Sequence, residues 1–166
     1  METPSRPLYL PYWETGESPR ERAVLCFIIR EERILLIRKK RGLGAGKINA
    51  PGGRIEPGES ALQAAVRETR EEVGLFPEDP VLAGELFFQF ADGHSIHCAV
   101  FTARGCSGEM VETDEAEPFW ESVEKIPYAQ MWADDIYWIP EMLAGRLFAG
   151  YFTFDGDRIT SHRMVP

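Results

Sequence analysis

Features of secreted, membrane-spanning and zinc-binding proteins are scarce in this sequence. It has three cysteines, with no CxxC pair and no cysteine–histidine grouping, which indicates free thiols in a reducing compartment: Cys26, Cys98 and Cys106. Its longest apolar run, from Ala23 to Ile29, is far shorter than the roughly 20 residues that span a bilayer. The N-terminus also lacks the basic-then-apolar pattern of a signal peptide. We therefore expect a cytoplasmic protein that does not bind a membrane.

Positive charge is also in short supply. Lysine and arginine number 18 against 27 aspartate and glutamate residues, so the net charge is −9. A chain this acidic is not typical of a general nucleic-acid binder, although a small phosphorylated ligand needs only a local basic pocket. The one dense basic run comprises Arg38, Lys39, Lys40 and Arg41. With 166 residues, the chain is long enough to bury a core as a single domain, and we expect a monomer.

Residues 1–20 are predicted to form an arm that precedes the domain. Prolines at positions 4, 7, 11 and 19 argue against regular secondary structure there. The aromatic residues Tyr9, Tyr12 and Trp13 could still attach the arm to the domain surface. The folded domain is expected to span residues 21–166.

Several segments of this domain carry strand signals. Two pairs of apolar runs, each pair flanking a short polar turn, predict β-hairpins: 23–29 with 34–37, and 87–90 with 96–103. We also expect a helix over 136–148 and a strand over 150–154. Together these elements predict an α/β (α+β) fold in which strands outnumber helices.

The strongest secondary-structure signal is a helix from Ser60 to Val73. Ser60 and Gln63 fit a capping box, and Gly74 stands where helices commonly end in the left-handed conformation. One stripe of this helix is expected to pack on the sheet: Leu62, Ala65, Val66, Thr69 and Val73.

The same helix carries a crowded group of acids. Glu68, Glu71 and Glu72 are spaced i, i+3 and i+4, so their carboxylates lie close together and repel. They also occupy the C-terminal half of the helix, where the helix dipole disfavours anions. A hard divalent cation such as Mg²⁺ or Mn²⁺ would relieve this conflict, because it prefers oxygen ligands. Taken alone, however, three such acids more often indicate a solvated acidic face.

A longer motif favours the metal-binding interpretation. Gly53 is followed by five residues, Glu59, seven residues, and then the run from Arg67 to Leu75. This pattern resembles the Nudix box, G-x5-E-x7-R-E-U-x-E-E-x-G-U, in which U is a bulky apolar residue. Thr69 departs from it, at a position where we expect an effect on packing and not on chemistry. The resemblance implies a Nudix hydrolase, with a mixed β-sheet sandwiched between helices, that cleaves a nucleoside diphosphate linked to another group.

Roles in the catalytic centre follow from this resemblance. Metal ions would be held by four carboxylates and one backbone carbonyl: Glu68, Glu71, Glu72, Glu115 and the carbonyl of Gly52. Catalytic roles fall to Glu72, which would lie closest to the attacking water, to Glu71, and to Arg67, which would hold a carboxylate in position. Glu59 would support this arrangement. Glu115 could equally be an exposed loop acid, because it lies among other acids.

Segments outside the box resemble those Nudix hydrolases that convert oxidised purine nucleoside triphosphates, such as 8-oxo-dGTP, to the monophosphate and pyrophosphate. By this resemblance, eight residues bind the substrate: Lys39, Asn49, Pro51, Gly53, Arg54, Trp132, Asp134 and Asp135. Trp132 would stack on the purine, and the aspartate pair would bind the base edge with one carboxyl protonated. Leu43 replaces a pocket phenylalanine and Val24 a threonine, so the base preference need not be identical.

Other interpretations stay open at this point. Asp134 and Asp135 could simply begin the helix that contains Ile136, with Trp132 in the core. The substrate could be a different nucleoside diphosphate derivative, or the chain could be a nucleotide-binding regulator without turnover. The intact acids of the box argue against a regulator, because a pure binder does not need clustered metal ligands. We expect Mg²⁺ as the cofactor and a small nucleotide, not nucleic acid, as the partner.

Overall fold

The computed structural model of the protein describes residues 10–166, so the first nine residues of the predicted arm, including Tyr9, lie outside it. The described residues form three helices and eleven strands, in this order: α1 (Tyr12–Thr15), β1 (Glu21–Arg30), β2 (Arg33–Lys39), β3 (Ile48–Asn49), β4 (Gly52–Arg54), α2 (Ala61–Val73), β5 (Leu75–Pro77), β6 (Val81–Phe90), β7 (Ser95–Ala103), β8 (Cys106–Gly108), β9 (Ala116–Ser122), α3 (Asp135–Leu143), β10 (Phe148–Asp155) and β11 (Arg158–Val165). No helix in this range is long and apolar enough to cross a membrane.

Nine of the strands form one mixed sheet. Its order is β11-β10-β6-β7-β1-β2-β3, with β4 paired to β1 and β9 paired to β2. The strands β1 and β7 run parallel, as do β10 and β6, and the remaining pairs are antiparallel. Both predicted hairpins are confirmed: β1 turns into β2 with Ile29 opposite Ile34, and β6 turns into β7.

The two longer helices cover opposite faces of this sheet. Alternate residues of a strand point to opposite faces. On β1, Cys26 packs with Ala64 and Ala65 of α2, whereas Phe27 packs with Trp138 of α3. This sandwich confirms the predicted α+β fold class, and it places apolar core on both sides of the sheet.

The helix α2 forms where the sequence predicts it. The Ser60 hydroxyl accepts from the Gln63 N–H, the Gln63 side chain accepts from the Ser60 N–H, and Gly74 adopts φ 77° after the last turn. The predicted buried stripe is partly wrong: Leu62 is 45% exposed, and Ala64 is buried instead. The buried face of α2 is therefore centred on Ala64 and Ala65 and not on the predicted stripe, because these small side chains allow α2 to approach β1 closely.

The end of the helix predicted over 136–148 differs from expectation. The helix α3 ends at Leu143, because Gly145 follows with φ 74° and the chain then turns into β10.

Thr69, at the one departure from the box, is fully buried as expected, and its hydroxyl donates to the Ala65 carbonyl at 2.7 Å. The polar atom that replaces an aliphatic group is therefore satisfied inside the helix.

The arm contains one helical turn, α1, so the expectation that residues 1–20 lack regular structure is wrong within the described part. Pro11 precedes this turn with φ −66°, which suits a helix start. Tyr12 is 6% exposed, and its hydroxyl donates to the Ile96 carbonyl at 3.2 Å. Its N–H donates to the Gln89 side chain at 3.1 Å. The aromatic arm is therefore attached to β6 and β7.

Replacement of Tyr12 by alanine should lower the free energy of unfolding by about 3 kcal/mol, because it empties a buried aromatic site and removes the bond to Ile96. Urea unfolding followed by circular dichroism measures this loss. Leu10→Ala is the matched control, since Leu10 is 61% exposed and its loss should cost under about 0.5 kcal/mol. Equal midpoints for the two variants would contradict the anchoring role of Tyr12.

Candidate active site

One cavity of about 550 Å³ brings together most of the predicted site residues. Eleven of them line it: Lys39, Asn49, Gly52, Gly53, Arg54, Glu68, Glu72, Glu115, Trp132, Asp134 and Asp135. Three predicted residues do not: Pro51, Arg67 and Glu71. The lining thus combines carboxylates of α2, the helix that carries the Nudix-like motif, with the acidic pair at the start of α3.

Three carboxylates converge at one part of the cavity wall. Glu68 and Glu72 extend from α2 and Glu115 from the segment before β9, and one oxygen of each lies within 4.8 Å of the others. The loop that carries Glu115 is tied to the end of α2, because the Thr113 hydroxyl donates to the Glu72 carbonyl at 2.8 Å. The backbone N–H of Lys40 donates to the Glu115 carbonyl at 3.0 Å, which links the same loop to the end of β2.

This cluster has an electrostatic conflict that a cation would resolve. Burial, followed by the charges of Glu68 and Glu115, raises the pKa of Glu72 to about 8, although Lys39 opposes the shift. Burial is also the main cause of the raised pKa of Glu68. One oxygen of Glu72, Oε2, is buried without a hydrogen-bond partner among residues 10–166. A set of close, oxygen-only donors with an unsatisfied buried oxygen fits a hard divalent ion.

Arg67 lies beside the cluster and holds its acids in place. Its Nε and Nη2 donate to the two oxygens of Glu59 at 2.7 and 2.9 Å, and its Nη1 donates to Glu68 at 2.7 Å. The bond from Arg67 is the main cause of a pKa of about 2 at Glu59. Glu71 is more exposed and is not one of the three converging carboxylates, but it accepts at 3.2 Å from Arg67 Nη1, the same nitrogen that donates to Glu68. Arg67 also donates to the Arg54 carbonyl at 2.9 Å, which connects α2 to β4.

The two glycines of β4 allow close approach between strands and helix. A Cβ on Gly53 would lie 2.5 Å from the Glu68 carboxyl carbon, and one on Gly52 would lie 2.1 Å from the Val24 carbonyl oxygen. Glycine at position 53 therefore makes room for a carboxylate. Pro51 contributes a backbone hydrogen bond to β1, because its carbonyl accepts from the Cys26 N–H at 2.9 Å.

The acidic pair at the start of α3 is almost completely buried. Asp134 and Asp135 are 2% and 3% exposed, and the Trp138 indole donates to Asp134 Oδ2 at 2.8 Å. Burial raises the pKa of Asp134 to about 6, and burial together with the Asp134 charge raises the pKa of Asp135 well above its usual range. Asp135 Oδ2 has no partner among the described residues. The pair is therefore suited to keep a proton near neutral pH and to present both a donor and an acceptor to the cavity.

Helix capping does not explain this pair. Asp134 precedes the first residue of α3, but its side chain makes no cap hydrogen bond. Trp132 is half-buried and lines the cavity, and its ring meets those of Phe90 and Phe154 edge-on, at centroid distances of 6.1 and 5.6 Å. The interpretation as a simple helix start with a core tryptophan is thus incomplete, because both aspartates and Trp132 line the cavity.

Sequence reasoning missed part of the apolar lining. Five residues on β6, β7 and α3 belong to it: Phe88, Phe90, Ile96, Cys98 and Trp138. Four of them alternate along the predicted second hairpin, so period-2 spacing could have placed them on one face. Residues of β1, β2 and β10 add to this lining, together with Ala50: Ala23, Leu25, Ile37 and Phe154. Cys98, one of the predicted free thiols, is buried at the cavity wall. The departures Leu43 and Val24 also line the cavity.

Replacement of Asp135 by asparagine should raise thermal stability at pH 8. Burial and the Asp134 charge raise the pKa of Asp135 well above its unfolded value of about 4, so the free energy of unfolding falls as the pH rises above about 4. Removal of one acid should gain about 1.5 kcal/mol, or roughly 4 °C in melting temperature, at pH 8 and much less at pH 4.5. Calorimetry at both pH values tests this, and an equal difference at the two would contradict it.

Comparison with known proteins assigns a family to this geometry. A family model described as the NUDIX domain matches residues 19–142, which is more than half of the chain. The chain belongs to the Nudix hydrolase family. Hydrolases of this family generally use divalent metal ions, in agreement with the three converging carboxylates, and act on small nucleotide substrates.

Individual relatives cover most of this Nudix chain. It is 43% identical over 142 residues to the oxidized purine nucleoside triphosphate hydrolase of Danio rerio, which covers 84% of this chain and 91% of the relative. The protein of the same name from Mus musculus is 36% identical over the same shares. A crystal structure of a MutT protein from Bacillus halodurans superimposes with a TM-score of 0.79 at 29% identity, covering 88% of this chain and 98% of that one.

Proposed function

We propose that this Nudix hydrolase converts oxidised purine nucleoside triphosphates, such as 8-oxo-dGTP, to the monophosphate and pyrophosphate. One observation carries the proposal: a single cavity joins the Glu68–Glu72–Glu115 cluster to the buried aspartate pair beside Trp132. A triphosphate tail and a purine could be bound at these two parts at once. The names of the Danio rerio and Mus musculus relatives support this choice of substrate.

The phosphate part would be bound by charge. Glu68, Glu72 and Glu115, helped by the Gly52 carbonyl, would hold Mg²⁺, for which Mn²⁺ could substitute. A bound divalent ion would neutralise the negative charge of the phosphate oxygens. Lys39 lines the same cavity and would donate to a phosphate oxygen.

The hydrolytic step needs a water, a base and ordered carboxylates. Within the Glu68–Glu72–Glu115 cluster, Glu72 has a buried oxygen without a partner among the described residues, and that oxygen would take the proton as the water oxygen attacks phosphorus. A bond forms between the water oxygen and phosphorus, and the bond from phosphorus to the bridging oxygen breaks, which releases pyrophosphate. Arg67 would keep Glu68 aligned during this step, and Glu71 would add negative charge at the outer side of the cluster.

The purine base would be recognised by stacking and hydrogen bonds. Trp132 would stack on the purine. The protonated member of the Asp134–Asp135 pair would donate to the base edge while the other accepts, and the Asn49 amide would bind the opposite edge. Gly53 and Arg54, which line the cavity, would shape the entrance between base and phosphates, and Pro51 would support them through its backbone bond to β1.

A second candidate is hydrolysis of a different nucleoside diphosphate derivative. Leu43 favours it, because this residue lies at the cavity with 49% exposure and offers no aromatic ring to a base. The two candidates differ in which nucleotide is cleaved fastest, not in how the phosphate part works.

A nucleotide panel tests the proposal. The protein is incubated with Mg²⁺ and 8-oxo-dGTP, dGTP, dTTP, ADP-ribose or a nucleotide sugar, and products are separated by ion exchange. We expect 8-oxo-dGTP to show the highest kcat/KM, with 8-oxo-dGMP and pyrophosphate as products. Faster cleavage of ADP-ribose or a nucleotide sugar would favour the second candidate. No hydrolysis of any member would favour a binding protein.

A further inference from the structure

Two residues of the glycine-rich loop at 40–47, between β2 and β3, contact Trp132 without lining the cavity: Gly44 and Lys47. Lys47 Nζ lies 5.2 Å from the centroid of the Trp132 ring. A Cβ on Gly44, where φ is +79°, would lie 2.6 Å from the indole Nε1, so the loop backbone is packed against the ring. Among residues 10–166, the cavity lining includes Trp132 but neither Gly44 nor Lys47.

Lys47 is itself held in place at both its backbone and its side chain. Its carbonyl accepts from the Lys39 N–H at 3.0 Å, which ties the end of the loop to β2. Its ammonium lies 3.5 Å from Asp157 in the turn between β10 and β11. The Lys47 side chain is 29% exposed, so its charge is partly desolvated above the ring.

Trp132 needs such support, because the segment that carries it has no regular structure. It lies between the short helical turn Tyr128–Gln130 and α3, and its other ring contacts are the edge-on contacts with Phe90 and Phe154. A ring that is free to rotate loses conformational entropy when it stacks on a ligand, whereas a ring that is already held does not. A cation over the face of an indole favours the ring orientation that keeps the two in contact.

We propose that Lys47 and Asp157 are positioning residues that hold the Trp132 ring for stacking on the purine, and that they set affinity for the base without contact with the substrate. This inference rests on the proposed function, in which Trp132 binds the base. Loss of the cation should therefore weaken binding of purine nucleotides and leave the hydrolytic step unchanged.

The first test separates binding from hydrolysis. Lys47→Met keeps the length of the side chain and removes its charge, and it should raise KM for 8-oxo-dGTP about fivefold with kcat unchanged. The affinity for 8-oxo-dGMP, measured by titration calorimetry without metal, should fall by the same factor. Lys47→Arg should restore both values, Asp157→Asn should show about a twofold loss, and Lys125→Met, an exposed lysine outside the cavity, should match the wild type.

A double-mutant cycle with Trp132→Leu gives the deciding result. If Lys47 acts through the ring, Lys47→Met should cost nothing further in the Trp132→Leu background. An undiminished cost there, an unchanged KM in the single variant, or a lower kcat with unchanged KM would overturn the inference. A different result would refute the proposed function: unchanged affinity of the Trp132→Leu variant for 8-oxo-dGMP. If only the present inference is wrong, the Trp132→Leu variant still binds 8-oxo-dGMP more weakly than the wild type.

Discussion

Replacement of Glu72 by glutamine should lower kcat for 8-oxo-dGTP on the order of 10³-fold while the protein stays folded. Glutamine keeps the shape of the side chain but cannot take a proton from water or supply a negative charge to a cation. Glu72 is the only one of the three converging carboxylates that has a buried oxygen without a partner among the described residues. Steady-state kinetics with Mg²⁺ measure the loss.

The matched control is Glu124→Gln, the same change at an exposed loop acid, which should leave kcat unchanged. Urea unfolding in metal-free buffer at pH 7 provides the second measurement. Because burial raises the pKa of Glu72 to about 8, folding at pH 7 requires this carboxylate to take up a proton that the unfolded chain does not bind. Glutamine avoids this cost, so it should make the metal-free protein slightly more stable. Wild-type turnover by the folded Glu72→Gln variant would remove this residue from the mechanism.

Replacement of Asp134 by asparagine should lower kcat/KM for 8-oxo-dGTP about a hundredfold and that for dTTP less than threefold. The amide oxygen can still accept from the Trp138 indole, so the local structure is kept. What is lost is the charged acceptor of the pair, and a hydrogen bond to a charged group contributes about 1.5–3 kcal/mol. Parallel kinetics with the two nucleotides measure the discrimination.

Asp155→Asn serves as the control, because this exposed acid at the end of β10 lies outside the cavity lining. It should change neither kcat/KM value. The affinity of Asp134→Asn for inorganic pyrophosphate with Mg²⁺ should also equal that of the wild type, since the acidic pair is far from the tail in the proposed binding mode. Equal losses for 8-oxo-dGTP and dTTP would contradict base recognition by this residue.

Local signals account for the parts of the fold that were predicted well. The α2 helix begins at a capping box and ends at a left-handed glycine, and both devices involve residues at most four apart. The hairpins likewise depend on short turns between apolar runs. The buried face of α2 was predicted incorrectly at two positions: Ala64 is buried and Leu62 is exposed. The reason is the packing of α2 against β1, which no local pattern specifies.

The candidate site divides in the same way. Glu68 and Glu72 share one turn of α2, so their proximity follows from helix geometry alone. Glu115 joins them only because β9 pairs with β2 and brings a distant loop to the end of α2. Cys98 and Phe90 line the cavity because β7 and β6 place them there, and nothing in their sequence neighbourhood distinguishes them from ordinary core residues.

Fixed short-range spacing in the chain specifies the chemistry available to this protein: the acids on α2, their arginine partner and the glycines that permit close approach. Which of these groups share a cavity, and which are buried, depends instead on how distant segments pack together. Burial decides the charge state of Glu72 and Asp134, because the cost of ionising a carboxyl depends on the atoms around it and not on its neighbours in the chain. The position of Lys47 over Trp132 likewise depends on contacts between residues far apart in the sequence.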